Sequence, residues 1–397
     1  MELTKERKIA LDTGFTAQFG ADPARYFSAP GRTELSGNHT DHQRGKVLAG
    51  AVNLDMQAAV GENDLGIIRV CSKGFPMNEI DLSVLEPVAE ECNTTAALIR
   101  GVAARFVQLG CDVRGFDVYM ESTVLPGSGL SSSAAFEVLM GTIINGLFFE
   151  NKVDMPGIAM IGQYAENVFF GKPCGLMDQM ASAVGGMVTI DFADPEKPEI
   201  RKVNFDFAAC NHALCIIDTR ASHAELTDEY AAITRELKAI CGYFGKEVLR
   251  QVEEPAFYDA IPTLREQFGD RAVLRAIHFY EENSRVSRQV AALEAGDFDS
   301  YLQLMKESGY SSYMNLQNVI PTGATAHQEV GLTLALCRKL LGSRGGYRVH
   351  GGGFAGTVQA FVPNDMLEDF RKGIDAVLGE GACHVLSIRP VGGTEMQ

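Results

Sequence analysis

The segment VLPGSGLSSSAAFEVLMGTIINGLFF, at residues 124–149, places a loop of glycine and serine directly before an apolar run. Gly127 and Gly129 allow the backbone of this loop to approach a ligand closely. The serines at 131–133 stand where a helix would begin, and the first turn of a helix has unpaired N–H groups and a partial positive charge. The segment therefore predicts a firmly packed helix whose N-terminus binds an anion such as phosphate. A serine-capped buried helix after an ordinary tight turn fits the same composition.

The composition is that of a globular protein with room for two domains. The chain has 397 residues, of which 46% are hydrophobic and 22% are charged. Its net charge of −16 argues against a nucleic-acid or anionic-membrane partner, because such partners require clustered Lys and Arg. An anionic small-molecule substrate stays open, since one basic pocket does not show in a total.

The cysteines and the apolar runs predict a cytoplasmic protein. The nine cysteines include no C-x-x-C pair and no zinc-binding pattern, which indicates free thiols in a reducing compartment. The first 23 residues carry charge throughout, so we expect no signal peptide. The apolar run at 134–149 contains Glu137 and is too short to span a membrane.

Hydrophobic periodicity predicts a mixture of strands and helices, which is typical of an α+β or mixed α/β fold. Strands are expected at 116–124, 186–193 and 212–219, helices at 224–244 and 364–379, and a strand–turn–strand unit in YRVHGGGFAGTVQAFVP. Asn364 could cap the last helix. The charged, proline-containing stretch ADPEKPEIRK (193–202) favours a boundary between an N-terminal lobe, 1–195, and a C-terminal lobe, 196–397.

Several common nucleotide sites are absent from the sequence. No G-x-x-x-x-G-K-[ST] motif occurs, and the glycine loop, H-R-D and D-F-G set of protein kinases is missing. A G-x-G-x-x-G pattern does occur at Gly351, Gly353 and Gly356, but the strand-like TVQAFVP follows it. A dinucleotide fingerprint must open a helix, so this pattern does not indicate a dehydrogenase.

Four segments, in order along almost the whole chain, resemble the galactokinase branch of the GHMP small-molecule kinases. PGSGLSSSAAFEV resembles the family's phosphate loop, and APGRTELSGNHTDHQRGKVLAGAVN (29–53) its N-terminal sugar signature. AENVFFGKPCGLMDQMAS (165–182) resembles the stretch with the catalytic aspartate, and HGGGFAGTVQAFV (350–362) the C-terminal glycine motif. The resemblance implies a two-lobed α+β GHMP kinase fold. Its N-terminal lobe would resemble ribosomal protein S5 domain 2, its C-terminal lobe would be ferredoxin-like, and the site would lie between them.

The resemblance also implies the reaction and its residues. ATP and Mg²⁺ would serve to phosphorylate galactose at its anomeric C1 hydroxyl, in a monomer or weak homodimer. Asp178 would be the general base or an electrostatic orienter, and Arg32 would keep it ionised and offset phosphoryl charge. Ser133 and Glu166 would ligate Mg²⁺. The sugar would contact Asn38, His39, Asp41, Gly175 and Tyr230, and ATP would contact Gly127, Ser128, Gly129, Leu130, Ser131, Ser132 and Ser133.

One departure from the signature bears on the substrate. Asn38 stands where the galactokinase signature usually has a Glu that binds the sugar near C6. Because Asn tolerates a carboxylate, a kinase of a related sugar such as galacturonate is the alternative. If the substrate is galactose, Asn38→Glu is expected to leave kcat/KM for galactose equal or better. If the substrate is galacturonate, the same change brings two anions together and the preference for galacturonate is lost. A non-catalytic sugar sensor is a further alternative, although Glu166 and Asp178 are both present.

Overall fold

The computed structural model describes residues 2–124, 129–172, 174–221 and 226–397. Its α-helices are α1 (Lys5–Phe19), α2 (Thr95–Gln108), α3 (Ser132–Phe148), α4 (Met155–Tyr164), α5 (Met177–Val184), α6 (Thr227–Tyr243), α7 (Glu254–Phe268), α8 (Asp270–Glu294), α9 (Phe298–Ser311), α10 (Glu329–Leu341) and α11 (Leu367–Leu378). Its strands are β1 (Arg25–Ser36), β2 (Lys46–Glu62), β3 (Ile67–Ser72), β4 (Asn78–Asp81), β5 (Phe116–Ser122), β6 (Met187–Asp191), β7 (Glu199–Val203), β8 (His212–Asp218), β9 (Gly346–His350), β10 (Thr357–Pro363), β11 (Cys383–Leu386) and β12 (Thr394–Met396).

The first sheet has the order β12-β1-β2-β5-β3-β4, with β6 paired to β2 and β7 paired to β6. Side chains alternate between its faces, so Ala58 lies in the main core under α2 to α5 while Ala59 packs with Leu11 and Phe15 of α1. The helix predicted after the serine loop is α3, and its residues from Ala134 to Asn145 are all buried. This burial holds the N-terminus of α3 firmly beside β1, where the backbone N–H of Arg32 donates to the carbonyl of Leu130 at 3.0 Å.

The second sheet is antiparallel, with the order β11-β8-β10-β9, and α10 and α11 pack against it. The predicted strands at 116–124, 186–193 and 212–219 are confirmed as β5, β6 and β8. The predicted strand–turn–strand unit is confirmed as β9, a glycine turn at 351–356, and β10. The helix predicted at 224–244 is confirmed as α6, within the described residues.

Two strands that follow the predicted boundary belong to the first sheet. The strand β7, which follows residue 195, pairs with β6, and β12 pairs with β1 through Tyr26 and Met396. The division of lobes at 195 and 196 stays a prediction. The predicted cap of the last helix is wrong: Asn364 begins a 3₁₀ turn, Asn364–Met366, and its side chain donates to Asn211. Among the helices of the described residues, none combines the length and apolarity needed to cross a bilayer.

Candidate active site

The start of α3 lies where the two sheets meet. Ser131, the residue before α3, has φ of 54°, a left-handed conformation that is uncommon for a residue with a Cβ. Gly129 has φ of 69°, and a Cβ there would lie 3.0 Å from Thr357 Oγ1 and 3.1 Å from His350 Nδ1. The predicted phosphate loop therefore lies against the strands that flank the glycine turn. Gly127 and Ser128, also predicted to bind ATP, lie outside the described residues.

Arg32 and Asp178 form a two-pronged ion pair beside this loop. Arg32 Nε donates to Asp178 Oδ1 at 2.7 Å, and its Nη2 donates to Oδ2 at 2.8 Å. A third nitrogen of Arg32 donates to the carbonyl of Gly129, and the hydroxyl of Ser131 donates to Asp178. Ser131, which we predicted to bind ATP, is thus directed at the aspartate in this structure. The predicted association of Arg32 with Asp178 is present.

The electrostatics of this pair keep the aspartate ionised. Burial alone would raise the pKa of Asp178, but the charge of Arg32 and the hydrogen bonds from Arg32 and Ser131 lower it below its ordinary value. The Arg32 side chain is 7% exposed, whereas 33% of the Asp178 side chain is exposed. The carboxylate is therefore fixed by a buried arginine and remains partly accessible to solvent. A group that receives a substrate hydroxyl must be accessible in this way.

Glu166 lies in a π-helical turn, Ala165–Phe170, which continues α4. Gln179 Nε2 donates at 2.9 Å both to Glu166 Oε2 and to Oε2 of Glu137. Ser133 precedes Glu137 by four residues on α3, so the two share a helix face and Ser133 is directed to the side where Glu166 lies. Ser133 and Glu166, predicted as metal ligands, are therefore linked indirectly, through Glu137 and Gln179, and their joint binding of a metal stays a prediction.

Both carboxylates beside Gln179 are buried, and one oxygen has no partner. Glu137 is fully buried and Glu166 is 4% exposed. Burial, and next the charge of Glu166, raise the pKa of Glu137 well above its ordinary value. Glu137 Oε1 has no hydrogen-bond partner among the described residues. A cation at Glu166 would offset the charge that helps to raise the pKa of Glu137.

Two of the predicted sugar residues meet directly. A Cβ at Gly175 would lie only 2.0 Å from Asp41 Oδ2, so the backbone at 175 is in contact with the Asp41 carboxylate. Gly175 is also three residues before Asp178. The loop after β1 and the segment before α5 are therefore in contact close to the Asp178 carboxylate.

His39 and Tyr230 both contact the glycine turn. His39 Nε2 lies 2.9 Å from the carbonyl of Gly352, and Tyr230 donates to the carbonyl of Gly353 at 2.9 Å. A carbonyl can only accept, so Nε2 of His39 carries the hydrogen and Nδ1 is left as an acceptor for a hydroxyl. Burial, and next His42, lower the pKa of His39 to about 4. His39 is therefore neutral near pH 7.

The side chain of Asn38 is not accessible beside His39 and Tyr230, which corrects its predicted role as a direct sugar ligand. Its side chain is fully buried, and its Nδ2 donates to Glu34 Oε1 at 3.1 Å and to the Gly351 carbonyl at 2.6 Å. Its Oδ1 accepts from Asn318 at 2.8 Å and from Ser312 at 3.3 Å. The amide therefore bonds the glycine turn through the Gly351 carbonyl. Its donors and its acceptor are already paired within the protein, so it has no free group to offer a sugar.

Sequence reasoning missed a second layer of buried polar residues behind the site. Glu34 pairs with Arg348, His278 bonds the carbonyl of Asn38, and Gln179 joins the two buried carboxylates. A signal existed for two of them, because Glu34 lies inside the quoted sugar signature and Gln179 follows Asp178. His278 and Arg348 come from distant segments whose sequence shows no motif that we used.

A separate cavity of about 500 Å³ is lined by residues of β6 to β8 and by residues between 386 and 390, and no predicted site residue lines it.

Comparisons with known proteins identify the family of this chain. Residues 97–186 match the family model "GHMP kinases N terminal domain", and residues 13–62 match the "Galactokinase galactose-binding signature". The galactokinase of Glaesserella parasuis serovar 5 is 32% identical over 363 residues, which cover 91% of this chain and 91% of that protein. The chain belongs to the galactokinase family. A galactokinase of Actinobacillus pleuropneumoniae is likewise 32% identical, over 90% of both proteins.

Solved structures show that this chain has the fold of the galactokinase family. The structure of Lactococcus lactis galactokinase complexed with galactose has a TM-score of 0.83 and 25% identity, and covers 97% of this chain and 99% of that one. A mevalonate kinase has a TM-score of 0.65 at 15% identity, over 92% of this chain and 99% of that one, which supports the fold alone. The predicted two-lobed α+β GHMP fold is confirmed. The protein is a kinase that transfers a phosphoryl group to a sugar hydroxyl, with ATP as its donor.

Proposed function

We propose that this kinase uses ATP to phosphorylate galactose at its anomeric C1 hydroxyl. The observation that carries the proposal is the ion pair of Arg32 with Asp178, held at 2.7 and 2.8 Å beside the N-terminus of α3. The pair brings three features together: the N-terminus of α3, which suits a phosphate; the fixed cation of Arg32; and the partly exposed carboxylate of Asp178. Phosphoryl transfer to a hydroxyl needs these groups in one place.

Asp178 orients the hydroxyl and receives its proton as the new O–P bond forms and the bond from the transferred phosphorus to the oxygen of the departing ADP breaks. A carboxylate with a lowered pKa is a weak base, so it favours the role of electrostatic orienter over that of early proton acceptor. This suffices because the transition state for phosphoryl transfer is loose and the hydroxyl proton is lost late. Arg32 holds the carboxylate in position and faces the negative charge of the transferring group.

Ser133 and Glu166 would hold Mg²⁺ with the phosphates of ATP. The donor set fits the ion: one hydroxyl, one carboxylate, phosphate oxygens and waters can complete an octahedron. No group of three or more His, Cys, Asp or Glu side chains suited to a metal occurs in the part of the chain that the structure describes. The phosphates and water would therefore supply most of the ligands. When bound, Mg²⁺ neutralises charge on the phosphate oxygens.

The sugar would lie against Asp41, Gly175, His39 and Tyr230. Asp41 accepts hydrogen bonds from hydroxyls, and Nδ1 of the neutral His39 is a further acceptor. A site that bonds hydroxyls in this way discriminates among sugars by leaving its buried groups unpaired with the wrong one. The burial of Asn38 removes the observation that favoured galacturonate, so we retain galactose as the substrate.

A coupled ATP assay over a panel of hexoses and hexuronic acids tests the proposal, each with and without Mg²⁺. We expect the highest kcat/KM with galactose and loss of activity in EDTA. Preference for a hexuronic acid would overturn the substrate. Sugar binding without any turnover would instead identify a sensor.

Gly175→Ala is expected to raise the KM for galactose about tenfold or more while kcat changes less. An alanine Cβ would lie 2.0 Å from Asp41 Oδ2, so the carboxylate must move away from the sugar. Steady-state kinetics measure the effect. Gly242→Ala is the control, because nothing lies within 4 Å of a Cβ at that helical position. An unchanged KM in Gly175→Ala would remove the contact with Asp41 from sugar binding.

The KM for galactose is expected to be constant from pH 8 down to about pH 5. Burial lowers the pKa of His39 to about 4, so its acceptor Nδ1 stays unprotonated until the pH approaches that value. Asp178, whose pKa is also lowered, stays ionised over the same range. An ordinary histidine would instead raise KM below about pH 6.5. A pH series of KM, with an NMR titration of His39, decides between them.

We also propose a cytoplasmic location and a monomer or weak homodimer. The nine cysteines are all unpaired, which fits a reducing compartment. Light scattering across a range of protein concentrations measures the oligomeric state.

A further inference from the structure

Lys172 is a cation in the site that the functions above do not use. Its Nζ lies 3.2 Å from Glu166 Oε1, and its side chain is 61% exposed whereas that of Glu166 is 5% exposed. Burial alone would lower the pKa of Lys172, but the charges of Glu166 and Asp178 raise it above the ordinary value. The ammonium therefore lies within the field of both functional carboxylates.

The other cation of the site is fixed in place. Arg32 has three of its donors committed, two to Asp178 and one to the carbonyl of Gly129, and its side chain is 7% exposed. Lys172 has one ion-pair partner among the described residues and a long, exposed side chain. The lysine end of the pair is exposed to solvent, so a divalent ion that binds Glu166 can displace the ammonium into water without burying it.

We propose that Lys172 neutralises Glu166 while the site is empty and, once Mg²⁺ has taken that carboxylate, binds the terminal phosphate of ATP. Glu166 accepts from Gln179 at 2.9 Å, and Gln179 is the residue after Asp178, so the displaced ammonium is left on the side of the site where Asp178 lies. The terminal phosphate must lie in front of Asp178 for in-line transfer. The charge of the ammonium then adds to that of Arg32 as negative charge spreads over the transferring oxygens. The inference rests on the metal assignment of Glu166 in the proposed function.

Calorimetric titration of the whole protein with Mg²⁺ plus either a non-hydrolysable ATP analogue or ADP tests this role without turnover. A charge-assisted hydrogen bond to the terminal phosphate predicts that Lys172→Met weakens the analogue about tenfold or more. Binding of ADP, which lacks that phosphate, should weaken less than about threefold. Lys172→Arg should restore most of the difference.

Lys152→Met is the matched control, because Lys152 is 58% exposed and pairs with Glu150 at 3.3 Å outside the site. It should leave both affinities unchanged. Equal weakening of the analogue and ADP by Lys172→Met, or no weakening of either, would overturn the proposal. Failure of the metal assignment is seen separately: Glu166→Gln would then leave the Mg²⁺ dependence of analogue binding unchanged. Neither measurement uses the sugar, so a wrong sugar assignment leaves both interpretable.

Discussion

Asp178→Asn is expected to lower kcat at least about a thousandfold, with ADP binding retained. The amide cannot accept both of the Arg32 donors, which now lie at 2.7 and 2.8 Å, and it carries no charge to orient the sugar hydroxyl. Single-turnover kinetics with ATP and galactose measure the chemical step directly. Calorimetry with ADP and thermal denaturation report whether the site and fold persist.

Ser131→Ala is the graded companion of Asp178→Asn. It removes one hydrogen bond to the carboxylate but leaves both bonds from Arg32 in place. Its effect on kcat should therefore be about tenfold, far below that of the amide. Near-normal kcat in Asp178→Asn would remove Asp178 from the mechanism. A collapse of its melting temperature with loss of ADP binding would make its role structural.

Asn38→Glu is expected to destabilise the fold by about 3 kcal/mol or more, and so to lower activity on every sugar. Asn38 Nδ2 now donates to Glu34 Oε1 at 3.1 Å, in a region where both side chains are buried. A second carboxylate would replace that donor with a like charge. Burial, despite the charge of Arg348, already raises the pKa of Glu34. Urea denaturation measures the free energy of unfolding.

The double variant Glu34→Gln/Asn38→Glu separates like-charge repulsion from simple loss of packing. It returns one carboxylate and one amide to the pair, and Arg348 Nη1, which has no hydrogen-bond partner among the described residues, can meet the new carboxylate. Glu34→Gln alone should also destabilise, because it leaves a fully buried Arg348 without its ion pair. The double variant should be more stable than the sum of the single effects by about 2 kcal/mol. Strict additivity would rule out like-charge repulsion as the cause of the loss. A stable Asn38→Glu protein with altered sugar preference would restore Asn38 as a direct ligand.

The local parts of the fold were predictable where the pattern and the packing agree. The apolar run after the serines became α3, and the alternating segments became β5, β6 and β8. The predictions that were wrong concern residues whose hydrogen-bond partners lie elsewhere in the chain. Asn364 fits a helix cap by type, but it bonds Asn211 across the fold instead.

The sequence by itself determined the kind of chemistry, through four motifs whose order and spacing identify the family, and it named both members of the Arg32–Asp178 pair. Only the tertiary structure decided which of the named side chains are buried and which are accessible. Asn38 and His39 are neighbours in one motif, yet the side chain of Asn38 is fully buried whereas His39 is only partly buried and bonds the glycine turn through Nε2. A motif records residue types along the chain, whereas burial and hydrogen bonding depend on segments far away in sequence. Here those segments are the glycine turn, which receives His39 and Tyr230, and Asn318, which occupies the amide of Asn38.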